Sequence, residues 1–392
     1  MNIIENRALM RPLDTTITYT NITYANLVMM SVISIFLPYV IAGSFLITLA
    51  IYLLMNKQTR KLVLVHKYSR YLLGFSGFYM LVSYAYGNWF GVFAGMAVAL
   101  GIVIGFFQYS VMTKELFEKV LTLICILSII STTCALSEKI IISRLDQYYS
   151  YDRISAMFYH PNYFGTITAT VIIICAYKIL THQGFKGFYY IIAGINIINI
   201  YLCESMFAWV EVFVGIAILL FITKQTRMLV LWGSIGVIAG GMILIANINL
   251  IPRLSEAELT LSMRFKIWDM SLEQIKQAPV FGNGLMTYAN KTLNKHNLTV
   301  HSHSIYLETL LNFGIVGTIG LLIPTLKYYF QVLKTCFKAK KSKITSLILA
   351  VTGAALVHGV TDITLLWIQT MPVFIFLMAG LGAYKTESKT AA

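Results

Sequence analysis

The sequence predicts an all-α polytopic membrane protein of about twelve transmembrane helices, with a large extracytoplasmic loop that contains an amphipathic helix. Three observations carry that reading. Hydrophobic residues make up 58% of the 392 and only 12% are charged, so no stretch is large and polar enough to build a separate soluble core. Continuous apolar runs long enough to cross a bilayer, roughly 20 residues at 1.5 Å each, recur from end to end. These runs do not alternate in hydrophobicity as barrel strands would, and helices are the remaining way to satisfy a backbone in lipid. The whole chain, 1–392, reads as one integral membrane domain.

The elements follow in order. A polar start with Glu5, Arg7, Arg11 and Asp14 precedes the first apolar stretch and lacks the short apolar run and small-residue site of a cleaved signal. That stretch, 24–55, is too long for one helix and is interrupted by Pro38 and Gly43, which predicts two short helices. Further spans are expected at 71–87, 89–112, 120–137, 163–180, 188–203, 206–222, 228–247, 304–333, 344–360 and 364–384. With the N-terminus inside, inner segments hold 21 of the 30 lysines and arginines, densest in 57–70 and 327–343. The positive-inside rule then places both termini in the cytoplasm of a plasma-membrane protein. The net charge of +14 reports topology and contact with the lipid bilayer rather than nucleic acid. Cys125, Cys134, Cys175, Cys203 and Cys336 lie in or beside apolar segments without CxxC spacing and read as packing residues.

Two outer loops hold most of the remaining chemistry, 247–302 and 138–162. In the first, Ser255 and Glu258 have capping-box spacing, and Leu261, Phe265, Trp268, Leu272 and Ile275 keep helical period. This predicts an amphipathic helix over 256–278 lying along the outer surface and ending before Pro279. Arg264 falls at the rim of its apolar face, where it either snorkels or meets an anionic group. Gly282-Asn283-Gly284 permits a turn with positive φ, a weak phosphate-binding signal without a surrounding βαβ unit. The loop ends in the cluster His296, His301 and His303. The last two suit proton transfer near neutral pH, helix capping, or a metal, although no adjacent carboxylate or cysteine completes a metal set. The second loop adds Arg153 and His160, with Asn162 expected to help cap the next span after Pro161. Glu204, Glu211, His358 and Asp362 are ionisable groups at or within spans and so are functional candidates, His358 and Asp362 sharing a helix face.

At this point the order of motifs resembles the O-antigen ligase and O-antigen/capsule polymerase family of membrane glycosyltransferases. His303-Ser304-Ile305-Tyr306-Leu307 with Gly314-Ile315-Val316-Gly317 is similar to that family's H-N-x-Y-L…G-I-x-G. Arg264 to Trp268, Pro279 and Gly282-Asn283-Gly284 resemble its R-x-x-x-W…P…G-x-G, and Arg153, Phe158 and Pro161-Asn162 its R…F…P-N. Two positions depart: Met206 stands where the family often has arginine, and Ser304 replaces asparagine. The resemblance implies transfer of glycan from an undecaprenyl-pyrophosphate-linked oligosaccharide donor to a sugar hydroxyl acceptor at the outer face. It implies His303 as the base, and Arg264, Arg153, Arg253, His301, His160 and Trp268 as substrate-binding residues, with no metal and no cofactor. It implies flippase and chain-length regulator proteins as partners. A repeat-unit polymerase is the leading expectation, and a ligase using a different acceptor is the alternative. A transporter or flippase is the competing class, disfavoured by the absence of a sequence repeat and of paired broken helices.

Overall fold

The computed structural model describes residues 15–144, 153–181, 184–244, 251–292, 299–338 and 343–384. The chain forms α1 (Thr15–Ile33), α2 (Tyr39–Met55), α3 (Lys57–Leu64), α4 (Lys67–Ala85), α5 (Trp89–Val111), α6 (Lys114–Arg144), α7 (Pro161–Thr181) and α8 (Gly187–Cys203). It continues through α9 (Met206–Ile222), α10 (Thr226–Leu244), α11 (Ala257–Gln277), α12 (Thr287–Thr292), α13 (Ile305–Lys338), α14 (Lys343–His358) and α15 (Thr370–Ala379). The all-helical class expected from the apolar runs is therefore observed, with no strand among the described residues.

Five of these helices (α5, α6, α7, α10 and α13) are each long and apolar enough to cross a membrane. The pair α2 and α3 adds a sixth if counted as one span, although it bends by 93° between Met55 and Lys57. The bend has a local cause: Asn56 leaves helical geometry and its side chain accepts from the backbone of Gln58 and Thr59, capping a new helix. The basic inner segment is thus largely helical, with Thr59 and Val63 buried and Lys57, Arg60 and Lys61 outward. The remaining apolar helices, near Thr23–Phe36, Gly187–Cys203, Met206–Ile222, Lys343–His358 and Thr370–Gly382, are shorter. Length and composition alone therefore fall short of twelve spans among the described residues.

The core is organised around α7, which is buried over most of its length by α6, α8, α9, α14 and α15. Polar side chains bind its neighbours together in surroundings where apolar packing against lipid offers little preference. Asn196 of α8 donates to Ser128 of α6 at 3.0 Å, and Asn199 to Thr132 at 2.8 Å. At the periphery, α10 exposes Val230, Leu231, Val237 and Ile238, the composition of a surface solvated by hydrocarbon.

α13 is broken rather than continuous. Gly314 has φ 60° and ψ −170°, a conformation essentially reserved for glycine. The segment after α11 docks into the break: the backbone N–H of Ile315 donates to Pro279 O at 2.8 Å, and that of Val316 to Val280 O at 3.0 Å. Gly282, at φ 64°, would put a Cβ 2.5 Å from the carbonyl oxygen of Asn312. The glycine turn considered for phosphate binding is thus committed to backbone packing, and it fixes the end of α11 against α13.

Candidate functional site

The ends of α6, α8 and α14 and the starts of α7, α9 and α13 meet at one end of the helix bundle. The segment after α6 is held by Glu138, whose carboxylate accepts from the backbone N–H of Ser155 at 3.2 Å and of Ala156 at 2.5 Å. This brings Arg153 beside α8, where Nε donates to Cys203 O at 3.2 Å and a terminal nitrogen donates to Asn162 Oδ1 at 2.7 Å. Asn162 in turn donates through Nδ2 to Asp362 Oδ2 at 2.7 Å. Its side chain does not cap α7, because these two partners hold both ends of the amide; Pro161 opens the helix instead.

The histidine segment is fixed from the other side. Glu308, buried in the first turn of α13, accepts from the backbone N–H of Ser302 at 2.8 Å and from Asn312 Nδ2 at 3.3 Å. Ile305 N–H donates to Gly359 O at 2.8 Å, tying the start of α13 to the end of α14. His303 consequently adopts φ 50°, left-handed backbone that an L residue keeps only where its surroundings impose it. The His301 and His303 rings lie 4.2 Å apart between centroids, and both face Asp362. His301 Nε2 is 3.9 Å from Asp362 Oδ1, and His303 Nδ1 is 3.6 Å from the same oxygen.

The hydrogen bonds assign protons to these rings. His303 N–H donates to His301 Nδ1 at 3.3 Å, so neutral His301 carries its proton on Nε2, facing the carboxylate. His303 Nδ1 is buried with no hydrogen bond within range, yet its nearest charged group is Asp362. At 3.6 Å the pair is an electrostatic contact rather than a formed hydrogen bond, and the Nδ1–H tautomer is the one the carboxylate favours. Nε2 then holds the lone pair, the arrangement in which a carboxylate orients an imidazole base. Burial would raise the Asp362 carboxyl, but His303, His301 and His358 around it hold it well below the ordinary carboxylate range. Burial lowers His301 to about 3. Burial, followed by the charge of Arg153, lowers His160 to about 4.

His301, His303 and Asp362 also form a set whose candidate ligand atoms all lie within 4.8 Å of one another. The carboxylate that appears absent from the sequence neighbourhood of the histidines is therefore supplied in three dimensions by Asp362. With Nδ1 of His301 accepting a backbone hydrogen bond, its Nε2 is a donor rather than a ligand. The hydrogen bonding thus fits a carboxylate–imidazole arrangement better than a metal centre.

α11 completes the site, with an orientation that the periodicity does not reveal. Its start lacks the expected capping box: Leu254–Glu256 is a 3-10 turn, and no side chain caps the helix. Instead Glu256 pairs with Arg253, at 2.7 Å from a terminal nitrogen. Arg253 thus sits in an exposed ion pair at the edge of the site. Leu261, Phe265 and Leu272 face outward, while Arg264 and Ser271 are the buried positions. Arg264, 8% exposed, lies with its guanidinium carbon 5.4 Å from the centre of the Phe207 ring. One of its terminal nitrogens is buried without a hydrogen-bond partner among the described residues. Burial lowers its pKa, opposed by the attraction of Asp362. One turn on, Trp268 Nε1 donates to His303 O at 3.4 Å, linking the arginine-bearing helix to the histidine segment.

The structure therefore brings Arg153, His160, Arg264, Trp268, His301 and His303 to one cluster, with Arg253 at its margin. His296 lies outside the described residues. Asp362 is the central group that motif reading leaves in the background; its only sequence signal is the spacing from His358, one helical turn earlier. Phe207, next to the departing position Met206, stacks between Arg264 and His358, the latter at 5.6 Å between ring centres. Behind it, His358 Nδ1 meets Glu211 Oε1 at 3.0 Å in a fully buried pair.

The fold and cluster together define a multi-pass membrane protein that gathers two histidines, a carboxylate and a buried guanidinium nitrogen without a hydrogen-bond partner among the described residues. Residues 191–322 match the family described as O-antigen ligase, consistent with a member of the O-antigen ligase and polymerase family and with a membrane glycosyltransferase-like enzyme. The matched segment contains Phe207, Arg264, Trp268, His301 and His303, and lies between Arg153 and Asp362 in the chain. No curated protein matches the sequence.

Proposed function

We propose that the protein is a polysaccharide repeat-unit polymerase that transfers glycan from undecaprenyl pyrophosphate to a sugar hydroxyl at the outer face of the plasma membrane. The observation that carries this reading is the convergence of His303, Asp362 and the partnerless guanidinium nitrogen of Arg264. His303 Nε2 takes the proton of the acceptor hydroxyl, whose oxygen forms a bond to the anomeric carbon. The bond from that carbon to the diphosphate oxygen breaks on the opposite side, giving inversion. Undecaprenyl pyrophosphate leaves with the electron pair, and Arg264 stabilises its growing negative charge. Asp362 holds His303 in the correct tautomer and stabilises the imidazolium. Arg153 contributes through Asn162 and Asp362, while Arg253 supplies charge at the margin. Trp268 and the lipid-facing side of α11 close over the donor. The reaction uses no metal.

This reading includes a twelve-span arrangement in which the shorter apolar helices also cross, with both termini cytoplasmic. The description of the matched family favours a second reading, a ligase that moves glycan to a different acceptor. The two are separated by reconstitution with a purified undecaprenyl-pyrophosphate oligosaccharide. The polymerase reading expects a ladder of longer lipid-linked glycans, lost in His303→Ala and Arg264→Ala protein that expresses normally. Transfer only to a separate acceptor would establish the ligase instead. Elongation that survives His303→Ala would remove the base assignment.

A further inference from the structure

A ladder of aromatic rings leads away from the histidine cluster. The His301 ring meets Trp367 edge-on at 5.7 Å between centroids. Trp367 stacks on Tyr159 at 6.5 Å, and Tyr159 meets Tyr39 edge-on at 5.2 Å. Tyr163, 4% exposed, stacks on Trp367 at 5.0 Å and braces the ladder from within. The outer two rings are exposed, Tyr159 at 61% and Tyr39 at 40%.

Three separate segments supply these rings, and a buried side chain holds the segments together. Tyr39 opens α2 after Pro38, Tyr159 lies just before α7, and Trp367 follows the 3-10 turn Thr364–Leu366. The Gln369 amide nitrogen lies 2.9 Å from Leu37 O, 3.1 Å from Ile35 O and 3.3 Å from Met157 O. Gln369 itself is buried, so these contacts fix the spacing of the ladder from behind. Phe36 and Phe158, also buried, pack edge to face at 6.4 Å, and Phe158 stacks on Phe164 at 5.5 Å. Phe158 thus faces the core while its neighbour Tyr159 faces outward.

An aromatic belt that only anchors a protein at the membrane surface requires neither this fixed spacing nor contact with a ring of the histidine cluster. The ladder rings carry no charge at neutral pH, and the Arg264 guanidinium packs on Phe207, which is not one of them. The ladder therefore offers nothing to a diphosphate. A sugar ring is its complement: the C–H face of the sugar meets the negative face of an aromatic ring, and the hydroxyls at its rim stay in reach of tyrosine oxygens and water. We propose that Trp367, Tyr159 and Tyr39 form the subsite for the acceptor glycan, stacking its sugar rings so that a hydroxyl is presented to His303. The His303 ring stands next beyond His301, at 4.2 Å between centroids. The acceptor role rests on the glycosyl-transfer reading; saccharide binding by the ladder does not.

The probe is the free glycan released by mild acid from the purified lipid-linked oligosaccharide. Without the diphosphate it has no leaving group and serves only as an acceptor. Calorimetry gives its Kd for full-length protein in detergent, and transfer from a fixed amount of lipid-linked donor gives its KM. Y159L is expected to raise both about five- to tenfold and Y39L/Y159L about 20- to 50-fold, with kcat and Tm near wild type. Y159F keeps the ring and should stay within about twofold of wild type. An unchanged Kd in Y39L/Y159L overturns the subsite, as does a wild-type protein that elongates the lipid-linked form yet binds no released glycan. An activity loss in Y159L that added phosphatidylglycerol restores, at unchanged Kd, also overturns it and makes the rings a membrane anchor. Glycan binding that requires Tyr159 in a protein without transfer activity supports the saccharide site and overturns only its acceptor role, which separates the two failures.

Discussion

Replacing Asp362 with asparagine tests the chemistry at its centre, because it changes the charge while nearly preserving the volume. In the native protein Oδ2 accepts from Asn162 at 2.7 Å and Oδ1 accepts from Ile363 N–H at 2.8 Å. The asparagine amide can offer its oxygen to only one side, so an N–H must face a donor on the other. More consequential is the loss beside His303. When His303 takes the acceptor proton, its imidazolium would stand 3.6 Å from Oδ1. Unit charges at that distance attract by about 4–5 kcal/mol at an effective dielectric constant of about 20. Loss of that attraction in the transition state corresponds to a fall in kcat on the order of 10³-fold. The assay is elongation of a purified lipid-linked oligosaccharide at several donor concentrations, so that kcat and KM separate. KM is expected to stay near wild type because Arg264 is untouched. A D362N protein whose kcat lies within about tenfold of wild type would refute the carboxylate–imidazole account.

The other expectations concern the elements around this pair. R264M removes a buried guanidinium with an unpartnered nitrogen, so thermal melts should show unchanged or higher stability while transfer falls about 10²–10³-fold; R264K should not restore it, since an ammonium lacks the planar fork. Arg153→Ala should lower kcat with little change in KM, because Arg153 acts through Asn162 and Asp362; a raised KM at constant kcat would return it to direct pyrophosphate binding. His301 at about 3 and His160 at about 4 stay neutral in the fold, whereas the unfolded chain protonates near 6.5. Their depressed values leave stability fully present above about pH 6.5 and remove it as pH falls toward 4, so H160Q should flatten the acid limb of Tm against pH. In G314A a Cβ would approach the Val280 carbonyl and Gly282 N–H to 2.5 Å at a φ of 60°. Strain alone should cost about 1–3 kcal/mol, measured as a lowered Tm relative to an alanine substitution at Gly233, where an added Cβ would meet nothing within 4 Å.

Much of the helical framework is legible because its determinants are local. Apolar run length, Pro38, Pro161 and Pro279 place helices such as α7 and α11 to within a residue or two of their observed ends. The charge pattern also anticipates that 57–64 is polar and basic, but not that it bends by 93° from α2. The depth to which each short helix sits in the bilayer depends on packing partners and is not contained in its own composition.

α11 shows where locality stops. Periodicity identifies a stripe through Leu261, Phe265 and Leu272 but does not say what covers it. In a water-soluble fold that stripe would turn inward. Here the stripe faces out of the protein, and Arg264 is carried inward against Phe207. Gly282 likewise looks like an anion-cradling turn until the broken α13 shows which backbone it approaches.

The sequence by itself determined that this protein is helical and membrane-embedded, and that its arginines and histidines crowd the ends of particular segments. Hydrophobic period, helix breakers and fixed charges act over a few residues and can be read in order. Only the tertiary structure decided that Asp362 would join His301 and His303, that Asn162 would connect Arg153 to that carboxylate, and that Arg264 would be buried with an open valence for hydrogen bonding. Those relations depend on through-space distances of about 3–4 Å between side chains. Chain separation does not encode them, because the packing of α7, α11, α13 and α14 determines which helix ends meet.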